Sequence, residues 1–146
     1  MTTPQPAAPA PAPQDAARAA LHPLVQRLIT ERAYPYVQDA AEAAGLDGRD
    51  HLLFLPAHGK GHLETPDIAV VLPELLAALG GADTIGGAVA GPQLEAALRD
   101  EMSLALPALV LVRDGRPAGA VARMRDWDDY LARLGALLAA PAPATH

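Results

Sequence analysis

Apolar positions along the chain fall into two kinds of run. Between residues 15 and 32, Leu21, Leu24, Val25, Leu28 and Ile29 recur three or four apart, the spacing that gathers side chains on one face of a helix. The same spacing returns in Ile68, Val71, Leu72, Leu75, Leu76 and Leu79, and again in Trp127, Tyr130, Leu131, Leu134, Leu137 and Leu138. These predict helices over about 66–79 and 126–139, each burying that face. His51–Leu55 and Ala108–Val112 are different: short, unbroken apolar stretches bounded by Asp47-Gly48, Pro56 and Pro107. Such runs suit strands covered on both faces. Thr84–Ala90 is a weaker apolar segment, and its glycines would let a neighbouring element approach closely.

Punctuation residues place the boundaries. Pro35 interrupts the first helix, and a shorter one over about 36–44 ends at Gly45, expected as a left-handed cap. Thr65-Pro66-Asp67 combines a capping hydroxyl, a proline in the first turn and an early acid, three features of a helix start. Gly80-Gly81 stops that helix; Gly91-Pro92 opens another to about Arg99, with Leu94, Ala97 and Leu98 inward. Asp114-Gly115 is the strongest hairpin signal and returns the chain as a strand over 117–122, with Pro117 at its start or on an edge. The resulting order is helix, strand, helix, strand, helix, strand, strand, helix. Two crossover units, a hairpin and a closing helix make an α/β fold with a mixed sheet of about four strands flanked by helices. Pro73 lies inside the 66–79 helix, where proline costs about 3 kcal/mol, and calls for a tertiary reason.

Composition narrows the classes of function. The 146 residues suit one domain, expected over 16–139, with a disordered Pro/Ala-rich arm at 1–15 and a flexible tail at 140–146. Only five aromatics occur (Phe54, Trp127, Tyr34, Tyr36, Tyr130), so Ala, Leu and Val carry the packing. A net charge of −6 argues against nucleic acid, whose affinity rests on Lys and Arg. The start has neither basic residues nor an apolar h-region, and no apolar run is long enough to span a membrane; a cytoplasmic location is expected. Cysteine is absent, which excludes disulfides, thiolate metal sites and cysteine nucleophiles.

Few local patterns carry chemistry. His58-Gly59-Lys60-Gly61-His62 resembles a metal clip, but two imidazoles four apart need a rigid helix to converge, and this loop reads as solvated and mobile, an adaptable lip to a groove. It lacks the Gly-Lys-Ser/Thr ending of a phosphate loop. Ser103, the sole serine, lies near Glu101 with no histidine nearby in sequence. No catalytic residue, metal or cofactor is expected.

The sequence of elements resembles thioredoxin. Pro73 matches that family's helix-kinking proline, and Leu106-Pro107 occupies the place of its cis-proline, so a cis bond is expected there. With Pro73 as anchor, the family's two active-site cysteines fall on Thr65 and Ile68, which removes thiol–disulfide exchange. One thioredoxin-like group lacks these cysteines by rule, the nickel–iron hydrogenase expression proteins HyaE, HupG and HoxO. The chain resembles them over about 22–138: in HPLVQRLITERAYP, in Glu64-Thr65-Pro66-Asp67 followed by VVLPELL, and in LPALVLVRDGRPAGAVARMRDWDDYL.

The resemblance implies a non-catalytic maturation chaperone for a membrane-bound uptake hydrogenase. Its expected partners are the small-subunit precursor and its twin-arginine signal peptide, with other maturation proteins besides. The alternatives are a thioredoxin-fold interaction module of another assembly pathway and an enzyme of non-thiol chemistry. The expected partner-binding residues are Glu64, Thr65, Pro66, Asp67, Asp100, Glu101, Leu106 and Pro107. Exposed ion pairs contribute about 0–1 kcal/mol each, so the acids among them would orient a partner while an apolar groove at Thr65, Pro66, Leu106 and Pro107 supplied affinity.

Overall fold

The computed structural model describes residues 13–59 and 62–140, and six helices and five strands lie among them. They run α1 (Pro13–Ala19), α2 (Pro23–Thr30), β1 (Tyr36–Val37), α3 (Ala40–Ala44), β2 (Asp50–Leu55), α4 (Thr65–Ala78), β3 (Ile85–Ala90), α5 (Pro92–Met102), β4 (Ala108–Arg113), β5 (Arg116–Ala122) and α6 (Trp127–Ala139). The sheet order is β1-β3-β2-β4-β5. β1, β3 and β2 are parallel, and β4 and β5 complete the sheet antiparallel. Expectations for residues 1–12 and 141–146 lie outside the described residues; Pro13–Asp15 already belong to α1.

The unbroken apolar runs of β2 and β4 follow from burial on both sides. Leu52 and Phe54 point into a core with α2, α4 and α6, whereas Leu53 and Leu55 point into a second core with α3 and α5. Arg113 ties two inner strands to the last helix: its guanidinium grips both carboxylate oxygens of Asp50 at 3.1 Å and donates to the carbonyls of Leu138 and Ala140 at the end of α6.

Five sequence expectations change. The sheet has a fifth strand, because Tyr36 and Val37 pair with Val89 and Ala90 instead of starting a helix. Asp39 caps Glu42 N at 2.8 Å and Glu42 returns a carboxylate to Gln38 N at 2.9 Å, a reciprocal cap that starts α3 at Ala40. The first helix breaks in two at His22-Pro23, since proline starts a helix readily but lacks an interior donor. Gly45 ends α3 at φ −86°, without left-handed geometry. Trp127, expected inward, is 40% exposed at the start of α6, and Ala97 is also exposed.

α4 runs through Pro73 unbroken, leaving the Ala69 carbonyl without its usual donor. The hairpin forms as expected: Asp114 and Gly115 both have positive φ, 55° and 76°, as its tight turn requires.

Candidate functional site

Register brings two strand ends together. Leu55 at the end of β2 pairs with Ala108 at the start of β4, so Pro56 and Pro107 leave the sheet side by side. The Leu106–Pro107 peptide is cis and Pro107 is buried. Its carbonyl accepts a hydrogen bond of 2.6 Å from Arg123 N, in the turn between β5 and α6. The Arg123 guanidinium reaches Glu64 through Nε, at 3.0 Å, and through Nη2; the other carboxylate oxygen accepts from Met124 N at 2.7 Å. Tyr130 completes the junction by donating its hydroxyl to the Arg123 carbonyl at 2.7 Å.

This junction changes the expected start of α4. Glu64, not Thr65, is the N-cap residue, and its side chain makes no cap because Arg123 and Met124 hold it. Thr65 is buried in the first helical turn and donates its hydroxyl to the Pro56 carbonyl at 2.9 Å. The neighbouring guanidinium and the Met124 amide lower the Glu64 pKa from 4.5 to about 2. A depressed carboxyl contributes stability above its unfolded pKa and loses it as pH falls through the folded value. The Glu64 contribution is therefore complete above about pH 4.5 and fades toward about 2. Glu64→Gln is expected to flatten the fall in thermal midpoint across that window. Some acid sensitivity should persist, because Arg49 holds the Asp47 carboxyl below its usual range as well.

Beside Thr65 a hollow of about 520 Å³ opens between α1 and the segment that follows β2. Ala17, Ala20 and Leu21 form one wall; Pro56, Ala57 and His58 form the other. His22, Thr65 and Pro92 also line it, so α2, α4 and α5 all begin at its rim. Helix N-termini carry partial positive charge. The hollow thus favours apolar or anionic groups over a guanidinium.

The structure brings Glu64, Thr65, Pro66, Asp67, Leu106 and Pro107 to one end of the sheet, yet only Thr65 among them lines the hollow. Asp67 is exposed and makes no ion pair among the described residues, whereas Glu64 is already neutralised by Arg123. Asp100 and Glu101 are exposed near the far end of α5, about 12 Å along the helix from Pro92 at 1.5 Å per residue. Asp100 pairs with Arg99.

The histidine loop is better anchored than its composition suggested. His58 Nε2 lies 2.7 Å from the Ala90 carbonyl, and its backbone N–H reaches Glu95. His62 Nδ1 accepts from Glu64 N at 3.1 Å. Lys60 and Gly61 lie outside the described residues. Among the described residues no three His, Cys, Asp or Glu side chains are grouped to hold a metal. Glu95 was missed at sequence level. It follows Leu94 and precedes Leu98 on the buried stripe of α5, so an acid on an apolar face was the available signal.

A mixed sheet of this order, a helix starting beside the end of β2 and a cis-proline at the adjoining strand end define a thioredoxin-like protein. Without cysteine it is one that has no thiol chemistry. Desulfothioredoxin from Desulfovibrio vulgaris Hildenborough has this fold, with a TM-score of 0.51 at 20% identity over 68% of this chain and 96% of its own. Within that class the chain belongs to the family described as Hydrogenase-1 expression protein HyaE, whose pattern matches residues 24–130. It is 43% identical over 122 residues to the hydrogenase expression/formation protein HupG of Rhodobacter capsulatus, covering 82% of this chain and 87% of that protein. It is 34% identical over 125 residues to HoxO of Azotobacter vinelandii, covering 82% and 80%. No helix among the described residues is long and apolar enough to cross a membrane.

Proposed function

We propose that this hydrogenase expression protein is a non-catalytic chaperone that binds a hydrogenase small-subunit precursor, including its twin-arginine signal peptide, in the cytoplasm before export. The observation that carries the reading is an apolar-walled hollow of about 520 Å³ in the corner where a thioredoxin would keep its thiols. Binding there needs no chemistry from the protein. Burying roughly 400 Å² of apolar peptide surface is worth about 10 kcal/mol at about 25 cal/mol/Å², before the ordering of the peptide is subtracted.

The positive helix ends at the rim and the engaged Glu64 divide the labour within the site. The hollow takes the apolar part of the signal, beside Thr65. Asp67, exposed at the start of α4 and in no ion pair among the described residues, offers a carboxylate to the arginines, and Asp100 and Glu101 act at longer range by steering. Pro66 and Leu106, both partly exposed, supply the apolar shoulder, and the buried Pro107 fixes the turn that carries Leu106.

A synthetic small-subunit signal peptide titrated against the purified chain tests this directly. Ala20→Glu places a charge in the wall and is expected to abolish binding while the thermal midpoint stays close to wild type. Asp100→Asn with Glu101→Gln should reduce only the salt dependence of association. Unimpaired binding by Ala20→Glu would remove the hollow as the docking site.

A further inference from the structure

Ala57 is not glycine, yet its φ is +67°. The left-handed region is unfavourable for an L-residue and persists where surrounding contacts over-determine the backbone. Those contacts come from three separate elements. Glu95 of α5 accepts the amide of Ala57 on one carboxylate oxygen at 2.6 Å and the amide of His58 on the other at 2.7 Å. The His58 ring nitrogen is bonded to the Ala90 carbonyl at the end of β3, and the Thr65 hydroxyl of α4 holds the Pro56 carbonyl. Pro56, Ala57 and His58 form one wall of the hollow.

Glu95 is the least expected member of this set. It is only 4% exposed and makes no ion pair among the described residues. Burying a carboxylate is unfavourable unless hydrogen bonds replace its water. Packing alone would be served by leucine or alanine between Leu94 and Leu98. What the carboxylate provides is a double acceptor aimed at two consecutive amides 37 and 38 residues earlier in the chain.

We propose that Glu95 is a positioning residue that holds the Ala57–His58 corner in a binding-ready shape. The inference rests on the reading that the hollow docks the signal peptide. A corner freed from Glu95 relaxes toward negative φ at Ala57 and takes the His58 imidazole with it. The peptide then meets a wall that is competent for only part of the time, and its apparent affinity falls by that fraction.

The device is also linked to protons. Burial raises the Glu95 carboxyl, opposed by the two amides and by His58 and Arg99. The groups facing it are His58 from the loop after β2, Arg99 of α5 and Tyr36 of β1, whose ring meets His58 edge-on with centroids 6.4 Å apart. Protonation replaces one acceptor with a donor, so one of the two amides loses its partner and the corner loosens as pH falls.

The test uses the full chain, the synthetic signal peptide, and the variants Glu95→Gln and Ala57→Gly/Glu95→Gln. Hydrogen exchange at the Ala57 and His58 amides, thermal midpoint and peptide affinity between pH 7.5 and 5 are measured together. Glu95→Gln keeps one acceptor oxygen and replaces the other with a donor, so one of the two amides should lose protection while sheet amides keep theirs, and the peptide should bind about tenfold more weakly, as for a corner competent about a tenth of the time. It should also lack the acid-dependent component of affinity expected of wild type. Glycine at position 57 reaches positive φ without penalty, so the double variant should recover part of the affinity. A rescue of this kind would not follow if Glu95 only stabilised the fold.

Wild-type binding matched by Glu95→Gln, unchanged amide protection, or no recovery in the double variant would each overturn the role of Glu95 and leave the docking reading in place. A wild-type chain that ignores the peptide would overturn the docking reading and the positioning role with it. Should Glu95→Gln alone fail to fold, the double variant and the wild-type pH series still decide: affinity that does not fall together with Ala57 protection on acidification refutes the inference.

Discussion

Phe54→Ala is expected to remove on the order of 3–5 kcal/mol of stability, the usual cost of emptying a buried phenylalanine site. Phe54 is fully buried in β2, between Val89 of β3 and Leu109 of β4, and is the only phenylalanine in the chain. With so few aromatics, the neighbouring leucines and valines are held in a sheet between helices and can collapse only partly into the space. A domain of this size has about 5–15 kcal/mol in total, so the variant should lie near the edge of folding. Chemical denaturation should show a lower midpoint with an unchanged slope. A loss below about 1 kcal/mol would mean that the core repacks around the gap far better than cores of this kind do. The consequence for the site is direct, because β2 ends at the Pro56–Ala57 wall.

Gly87→Val is the second large effect, and two opposing contributions decide its sign. Valine favours strands, worth up to about 1 kcal/mol. Against that, a Cβ built on Gly87 lies 2.5 Å from Tyr34 Cε2 and 2.7 Å from its Cζ. The tyrosine ring covers the bare backbone of β3, and Pro35 directly after it leads into β1. Steric overlap of this depth outweighs propensity, so destabilisation of about 1–3 kcal/mol or more is expected, with β1 loosened first. Tyr34→Ala combined with Gly87→Val should recover part of the loss, since the two sites share one contact. Additive losses in a double-mutant cycle would contradict the clash.

The site differs from its sequence expectation in a way that bears on recognition. Glu64 looked like a free acid at the mouth of a groove, but Arg123 and Met124 occupy it. The groove was expected around Thr65, Pro66, Leu106 and Pro107; Thr65 does line the hollow, but Pro107 is buried and the other walls come from α1 and the segment after β2. In the docking proposed above, the arginines of the peptide are therefore assigned to Asp67 and the longer-range acids, and its apolar part to a wall that α1 helps to build.

Several features were legible in the residues alone. Spacings of three and four gave the inward faces of α2 and α4 and most of that of α6. Unbroken apolar runs gave β2 and β4 as strands covered on both faces. Asp114-Gly115 fixed a hairpin through its tolerance of positive φ, and the lack of cysteine removed thiol chemistry outright. Each of these is a local property, set by neighbours within a few residues or by the presence of an atom type. Tertiary structure decided what depended on distant partners. β1 is a strand because Val89 and Ala90 are there to pair with it, although two residues have no periodicity of their own. Glu64 is neutralised by an arginine 59 residues away, and Ala57 is held in a left-handed turn by an acid 38 residues away. Hydrogen bonds and close packing act over a few ångströms of space, and only folding determines which distant residues come within that range.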